Sequence, residues 1–118
     1  MAERLVNERT GQTVLATIER ARGPWKSFRG LMLRKSIPDD YGLYFTPAQG
    51  IHTQFMRFPI DLIYLDEEHR VVKIREAMPP WRLDFTRAAA VIETNTGIAR
   101  AAGIAPGDQL RIESIAAE

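Results

Sequence analysis

The run at residues 60–65 is the feature that most restricts what this chain can fold into. Its letters, IDLIYL, are almost all apolar and rich in β-branched and aromatic side chains. Pro59 precedes the run and a polar cluster at 66–69 follows it, and proline is excluded from both helix interiors and sheet ladders. Length and flanks therefore predict a short strand buried on both faces, paired in a hairpin with residues 70–76.

Asp61 lies inside this apolar run and is the most informative single residue. An ionised carboxylate in such a place costs several kcal/mol unless it is hydrogen-bonded or paired. Two interpretations are open: a ligand-binding or acid–base group, or a structural carboxylate held by backbone N–H groups or by an arginine, for which Arg29 is the expected partner. The structural interpretation is favoured because buried polar groups are usually satisfied within the fold. Glu93, which ends the apolar run at 88–92, has the same two interpretations.

Further strands are predicted at 3–7, 13–18, 42–46, 51–56, 88–93 and 109–115, of which 13–18 and 51–56 show alternation of the two side-chain faces. Trp25, Phe28 and Leu31 share one face of a predicted short helix over 24–33. A second helical turn is predicted over 97–102, with Thr96 as its N-cap and Gly103 after its end. Two prolines predict a long loop over 78–85.

These elements predict a mainly β fold class, a small antiparallel β-sandwich or barrel of jelly-roll-like form with two short helices. Trp25, Phe28 and Leu31 are expected to pack on the sheet from the first helix. The predicted core of the sheet consists of Ile60, Leu62, Ile63, Leu65, Val72, Ile74, Val91, Leu110 and Ile112.

Length and charge narrow the class of protein. A chain of 118 residues fits a single domain, 1–118. Without cysteine it has neither disulfides nor a thiolate nucleophile. Its 16 basic and 15 acidic residues make no electrostatic case for a nucleic-acid or membrane partner. No apolar run approaches the roughly 20 residues of a membrane span, and residues 1–20 lack a signal-peptide core, so a soluble cytoplasmic location is expected.

The chain resembles the bacterial and archaeal family known as domain of unknown function 192. The likeness covers roughly residues 10–113 and rests on motifs in a fixed order: RGLM at 29–32, GLYF at 42–45, FMRFPIDLIY at 55–64, VIE at 91–93 and GDQL at 107–110. Phe55 stands where the family pattern has tryptophan. The resemblance implies a jelly-roll-like β fold and no established activity.

Three functions remain open. The favoured one is a non-catalytic β domain that binds a small molecule in a polar-lined cleft under the Trp81 loop, with no cofactor and no metal. Its candidate ligand-binding residues are Arg29, His52, Gln54, Met56, Asp61, Trp81 and Glu93. The second is a hydrolase or lyase that uses Asp61 and Glu93 as paired carboxylates. The third is a protein-interaction or assembly module that docks a partner through residues 78–85. His69 is expected to be solvated in a hairpin loop.

Overall fold

The computed structural model describes residues 2–22, 31, 34–46, 51–53 and 56–115, with only the backbone of residue 52. Within them the chain forms strands and one short helix, α1 (Ile98–Ala101). The strands are β1 (Glu3–Asn7), β2 (Gln12–Arg20), β3 (Tyr41–Phe45), β4 (Ile51–His52), β5 (Ile60–Leu65), β6 (Val71–Met78), β7 (Leu83–Asp84), β8 (Ala90–Asn95) and β9 (Leu110–Ser114).

The mainly β class is confirmed. Seven strands form one sheet in the order β6-β5-β8-β3-β2-β1-β9, and β4 pairs with β7 in a separate two-stranded ribbon. The large sheet curls into a half-barrel. Its outer strands approach each other at one end, where Val71 N–H donates to the Asp108 carbonyl at 2.8 Å and Leu110 N–H donates to the His69 carbonyl at 3.1 Å. The sandwich or jelly-roll detail is not confirmed.

One strand pair departs from the antiparallel prediction. β2 and β3 run parallel, with Thr17 opposite Tyr41 and Arg20 opposite Tyr44. A parallel pair needs a long crossover, and residues 21–40 supply it. The predicted helix over 24–33, with Trp25 and Phe28, falls outside the described residues except for Leu31, which is buried.

The sheet has two apolar sides. The helix side, on which Ile63 and Ile92 lie, packs against Ala99 of α1. The loop side, on which Leu62 and Val91 lie, continues into apolar residues of the connecting segments. The helix side is tight, since a Cβ at Gly42 would lie 2.6 Å from Leu15 Cδ1.

The structure confirms the strand at 60–65 and the helical turn at 97–102. Other elements begin or end at different residues from those predicted. The strand predicted over 51–56 is reduced to β4. β6 continues to Met78 and pairs it with Ile60, although a proline follows directly. The predicted loop also contains β7, which pairs with β4.

Val72 is a wrong core assignment. Tyr64 pairs with Lys73 and Leu65 with Val71, which leaves Val72 as the extra residue of a β-bulge. A bulge shifts the side-chain alternation by one position. Val71 therefore points inward, 2% exposed, while Val72 is 48% exposed.

Most of the predicted core is confirmed as fully buried, while two of its members lie at the margin. Ile74 and Ile112 are partly buried residues that pack against the helix-side cluster. Among the described residues, no helix is long and apolar enough to cross a membrane.

Candidate functional site

Asp61 is fully buried in β5, between the strands β6 and β8, and faces the helix side of the sheet. Oδ1 accepts a hydrogen bond from Ala77 N–H at 2.8 Å. Oδ2 accepts bonds from Gly97 N–H at 3.1 Å and Ala99 N–H at 3.2 Å. The prediction of a buried carboxylate held by backbone amides is confirmed, and both oxygens are engaged by the fold itself.

These bonds also explain how α1 begins. Thr96 was expected to cap the helix, but the N-cap is Gly97, which has φ 89° and makes no side-chain capping bond. The first N–H groups of a helix lack partners within the helix, and Asp61 accepts from two of them across 36 and 38 residues of sequence. The cap prediction fails because a distant carboxylate replaces the local hydroxyl.

Glu93 is the contrasting carboxyl group. It is 3% exposed in β8, between Leu43 of β3 and Leu62 of β5. Its Oε2 atom has no hydrogen-bond partner in the described part of the chain. Burial raises the pKa of Glu93 to about 8. Glu93 is therefore mostly a neutral carboxylic acid at pH 7.

The two carboxyl groups lie on opposite sides of the sheet. Asp61 is paired with Thr94, and Leu62 is paired with Glu93. Successive strand side chains point to opposite faces, and directly paired residues share a face. Glu93 thus shares the loop side with Leu62, while Asp61 reaches α1. The hypothesis of a hydrolase or lyase built on these two carboxylates is wrong, because the sheet separates them.

A second buried acid lies at the loop-side edge. Asp84, 4% exposed, accepts bonds from Thr86 N–H at 2.8 Å and from Arg75 Nη1 at 2.9 Å. Burial opposes its ionisation, but the hydrogen bonds from Thr86 and Arg75 outweigh it and hold the pKa of Asp84 below its ordinary value. The Tyr64 hydroxyl is near enough to contribute to this lowering, yet it reaches hydrogen-bond geometry with no described group.

The other candidate residues divide into three groups. Arg29 and Gln54 lie outside the described residues, and for His52 only the backbone, in β4, is described. Met56 is buried in the loop-side core. Trp81 is 57% exposed, with φ 63°. No described contact joins these residues to Asp61 in one cleft.

His69 is more engaged than predicted. It is only partly exposed, and its Nε2 lies 2.9 Å from the Tyr44 hydroxyl oxygen. Arg20 lies over the Tyr44 ring, 4.8 Å from its centroid. Burial, assisted by the charge of Arg20, lowers the pKa of His69. A hairpin position suggested solvent, but the curled sheet places this hairpin against β3.

Sequence reasoning missed Thr53, Asp84 and Tyr64. Thr53 is fully buried, and its hydroxyl donates to the Pro79 carbonyl at 2.7 Å and accepts from Arg82 N–H at 2.8 Å. The alternation Leu83-Asp84-Phe85 was the signal in the sequence for a strand with a buried acid. It was missed because the apolar residues of a strand normally point inward, whereas here Asp84 points inward. Among the residues that the structure describes, no three His, Asp or Glu side chains gather as a metal site.

Comparisons with known sequences identify relatives along nearly the whole chain. The profile of the family described as uncharacterized ACR, domain of unknown function 192, matches residues 5–112. A UPF0127 protein of Thermococcus kodakarensis is 36% identical over 112 residues, covering 88% of this chain and 69% of that protein. A UPF0127 protein of Pyrococcus furiosus is 29% identical over 113 residues, covering 90% and 95%.

Two crystal structures share the fold. A putative transcription regulator of Sinorhizobium meliloti matches with a TM-score of 0.81 and 26% identity, covering 92% of this chain and 90% of that one. A protein of unknown function from Novosphingobium aromaticivorans matches with a TM-score of 0.78 and 25% identity, covering 94% and 84%. The extent of these matches shows that the chain belongs to the domain of unknown function 192 family.

Proposed function

We propose that this protein is a β domain that binds a neutral small molecule on the loop side of its sheet, with Glu93 as the principal polar contact. The observation that carries the proposal is the buried Oε2 atom of Glu93, which lacks a partner among the described residues. Leaving a buried polar group unpaired costs about 1–3 kcal/mol. A ligand that supplies the missing hydrogen bond would recover that free energy on binding.

The protonation state of Glu93 selects the chemistry of the ligand. A protonated carboxyl offers one O–H donor and acceptor capacity beside it. A primary amide or a pair of adjacent hydroxyl groups presents the matching acceptor and donor. An anionic group would meet an apolar surface formed by Leu43 and Leu62, with no described cation against Glu93. The ligand class is therefore neutral and hydrogen-bonding, such as an amide or a sugar.

This proposal changes the set of residues that are expected to contact the ligand. Asp61 belongs to the opposite side, and its oxygens already accept three backbone hydrogen bonds. Met56 and Tyr64 share the loop-side cluster with Leu43 and Leu62. Buried groups with strongly perturbed pKa values cluster at functional sites, and Glu93 satisfies this description on the loop side.

A thermal-shift screen at pH 6 against primary amides, sugars, nucleosides and organic acids tests the function. We expect a neutral compound to raise the melting temperature of the parent protein, and this increase to shrink above pH 8 as Glu93 ionises. Glu93→Leu should fold and lose the increase. Glu93→Gln, which keeps an acceptor and a donor, should retain part of it.

The matched control is Glu67→Leu, which alters an exposed carboxylate in the β5–β6 hairpin. It should respond to the same compound as the parent does. A compound that stabilises Glu93→Leu as much as the parent would overturn the role of Glu93. Absence of a response to every class of compound would overturn the binding function.

A further inference from the structure

A depression of about 430 Å³ lies on the helix side of the sheet, between β6 and the segment that contains α1. Ile74 and Glu76 line it from β6, while Ala99, Arg100 and residues 103–106 line it from the other segment. Its volume is within the range of small-molecule sites. The ligand proposed above lies on the opposite side of the sheet, so the depression is a separate site.

Hydrogen bonds hold the elements around the depression in place. At the start of β6, the Val71 carbonyl accepts a bond from Gly107 N–H at 2.7 Å. Near the end of β6, Asp61 accepts from Ala77 N–H at 2.8 Å and, with its other oxygen, from Ala99 N–H of α1 at 3.2 Å. Both connections join segments that line the depression. A site that is already formed loses little conformational entropy when it binds a ligand.

The backbone of β6 is distorted at Glu76. Two residues of β6, Glu76 and Ala77, lie opposite the single residue Asp61 of β5, which makes a second β-bulge. Ala77 has φ 52°, a left-handed conformation that residues other than glycine rarely adopt. Bulges redirect side chains next to active sites, and strained backbone is concentrated at ligand-binding positions. Here the distortion lies at the residue whose carboxylate lines the depression.

The edge of the depression carries both signs of charge. Arg100 donates from Nε and Nη2 to the two carboxylate oxygens of Glu76, each at 3.1 Å. The Arg100 side chain is 80% exposed and that of Glu76 is 41% exposed. An exposed ion pair contributes little to stability, so each group can exchange its partner for a ligand. Arg9 also reaches the Gly103 carbonyl, but it is paired with Asp108 and adds no net charge.

We propose that this depression, here called the β6–α1 site, binds a free α-amino acid that has an apolar side chain. The ammonium group of the ligand pairs with Glu76 and its carboxylate pairs with Arg100, while its side chain covers Ile74 and Ile104. A guanidinium donates two parallel N–H bonds to a carboxylate, and an ammonium group donates up to three bonds. A ligand with a single charge would leave either Glu76 or Arg100 without a partner. The two opposite charges therefore select a zwitterion.

Titration of the isotopically labelled full chain with L-leucine, followed by its amide chemical shifts, tests the proposal. We expect saturable shifts in β6 and α1. Glycine, 4-methylpentanoate and leucine methyl ester lack the side chain, the ammonium group and the carboxylate, respectively. Each should bind at least about tenfold more weakly, a loss of about 1.4 kcal/mol. Absence of shifts at millimolar leucine would overturn the proposal, as would equal binding of any of the three analogues.

Two conservative variants remove the charges one at a time. Glu76→Gln and Arg100→Gln should each weaken leucine binding at least about tenfold. Both positions are exposed, so both variants should fold, as the dispersion of the amide spectrum checks. The matched control is the exposed pair in β9, in which Arg111 Nε donates to Glu113 at 3.0 Å. Arg111→Gln should keep the affinity of the parent, and an equal loss in this control would overturn the assignment to Glu76 and Arg100.

A further variant separates the depression from its charges. Ala105→Trp places a large side chain at an exposed lining position and leaves both charges unchanged. The backbone bond from Ala105 N–H to Asp108 does not depend on the side chain. Leucine should no longer bind this variant, and retention of the parent's affinity would overturn the role of the depression.

The substitution Glu93→Leu distinguishes this site from the ligand site on the loop side. Leucine should bind Glu93→Leu as it binds the parent, with the same shifts in β6 and α1. Shifts centred on β8 that Glu93→Leu abolishes would overturn the β6–α1 site and would assign leucine to the loop side instead.

Discussion

Asp61 and Glu93 are two buried carboxyl groups on neighbouring strands that solve the same physical problem in opposite ways. Asp61, fully buried, accepts three backbone hydrogen bonds. Glu93, 3% exposed, has an oxygen without any described partner, and its pKa rises to about 8. Equal burial therefore does not determine the state of a carboxyl group. The hydrogen-bond donors within reach decide whether the carboxyl group stabilises the fold or remains available to bind a ligand.

The difference arises from what each side of the sheet packs against. The helix side faces the start of α1, where unpaired N–H groups point at Asp61. The loop side around Glu93 consists of apolar side chains, such as Leu43 and Leu62. Backbone amides satisfy a carboxylate, whereas an apolar surface favours its protonated form.

Removing Asp61 should have the largest effect. Asp61→Ala leaves three backbone N–H groups without an acceptor, so the free energy of unfolding should fall by about 4–6 kcal/mol. Asp61→Asn keeps one acceptor and should lose about 1–3 kcal/mol. Urea denaturation at neutral pH measures both. An unchanged or higher melting temperature of Asp61→Asn would contradict the structural role and return Asp61 to the ligand-binding candidates.

The pH dependence of stability should report Glu93 directly. Its folded pKa, about 8, exceeds its ordinary value of 4.5, so the folded state holds the proton that the unfolded state has lost. The contribution of Glu93 to stability is then greatest below pH 4.5 and falls as pH rises, by about 3 kcal/mol between pH 5 and 8. Urea midpoints across this range measure the fall.

Glu93→Gln serves as the reference for that measurement, because it cannot ionise. His69 contributes in the opposite sense, since its lowered pKa makes stability decrease as pH falls. Subtracting the curve of Glu93→Gln from that of the parent cancels His69 and leaves Glu93. Parallel curves for the two proteins would show that Glu93 is ionised in the folded state.

Replacing Glu93 by an apolar residue should stabilise the protein. Glu93→Leu fills the site with a side chain that matches Leu43 and Leu62, and at pH 8 it should raise the free energy of unfolding by about 2–3 kcal/mol. Groups kept for binding often reduce stability. Calorimetry measures the change, and a clear loss of stability would indicate that Glu93 supports the fold as Asp61 does.

The β-bulge at Val72 of β6 tests locally which residues face the helix side of the sheet, and the expected changes in stability are the smallest of those proposed. Val71→Ala should cost about 1–2 kcal/mol, because Val71 is buried on the helix side. Val72→Ala, next to it, should change stability by less than about 0.5 kcal/mol. Denaturant midpoints of the two variants compare them, and a larger loss at Val72 would place the bulge elsewhere and exchange the two sides of β6.

Local sequence signals were sufficient for a good part of this structure. The apolar run between Pro59 and the polar hairpin predicted β5, and Gly103, with φ 67°, ends α1 as expected. The burial of Asp61 and its need for hydrogen-bond partners also followed from its position in that run. These features depend on the few residues around each site, and such residues are visible in the sequence.

Other features depended on contacts between distant segments. The bulge at Val72 comes from the pairing of β5 with β6, and the cap on α1 comes from Asp61 rather than Thr96. β7 exists because Thr53 and β4 hold the segment that contains Leu83. Neither a pairing register nor a capping group from another strand leaves a local signal.

The sequence by itself determined the mainly β class, the buried strand β5 and the need of Asp61 for partners, because apolar patterning and the cost of burying a charge act locally. Only the tertiary structure decided which partners Asp61 has, and that Glu93 lies on the other side of the sheet, where its Oε2 atom has no partner among the described residues. The physical reason is that register assigns side chains to faces: one position along β5 separates the residue paired with Thr94 from the residue paired with Glu93.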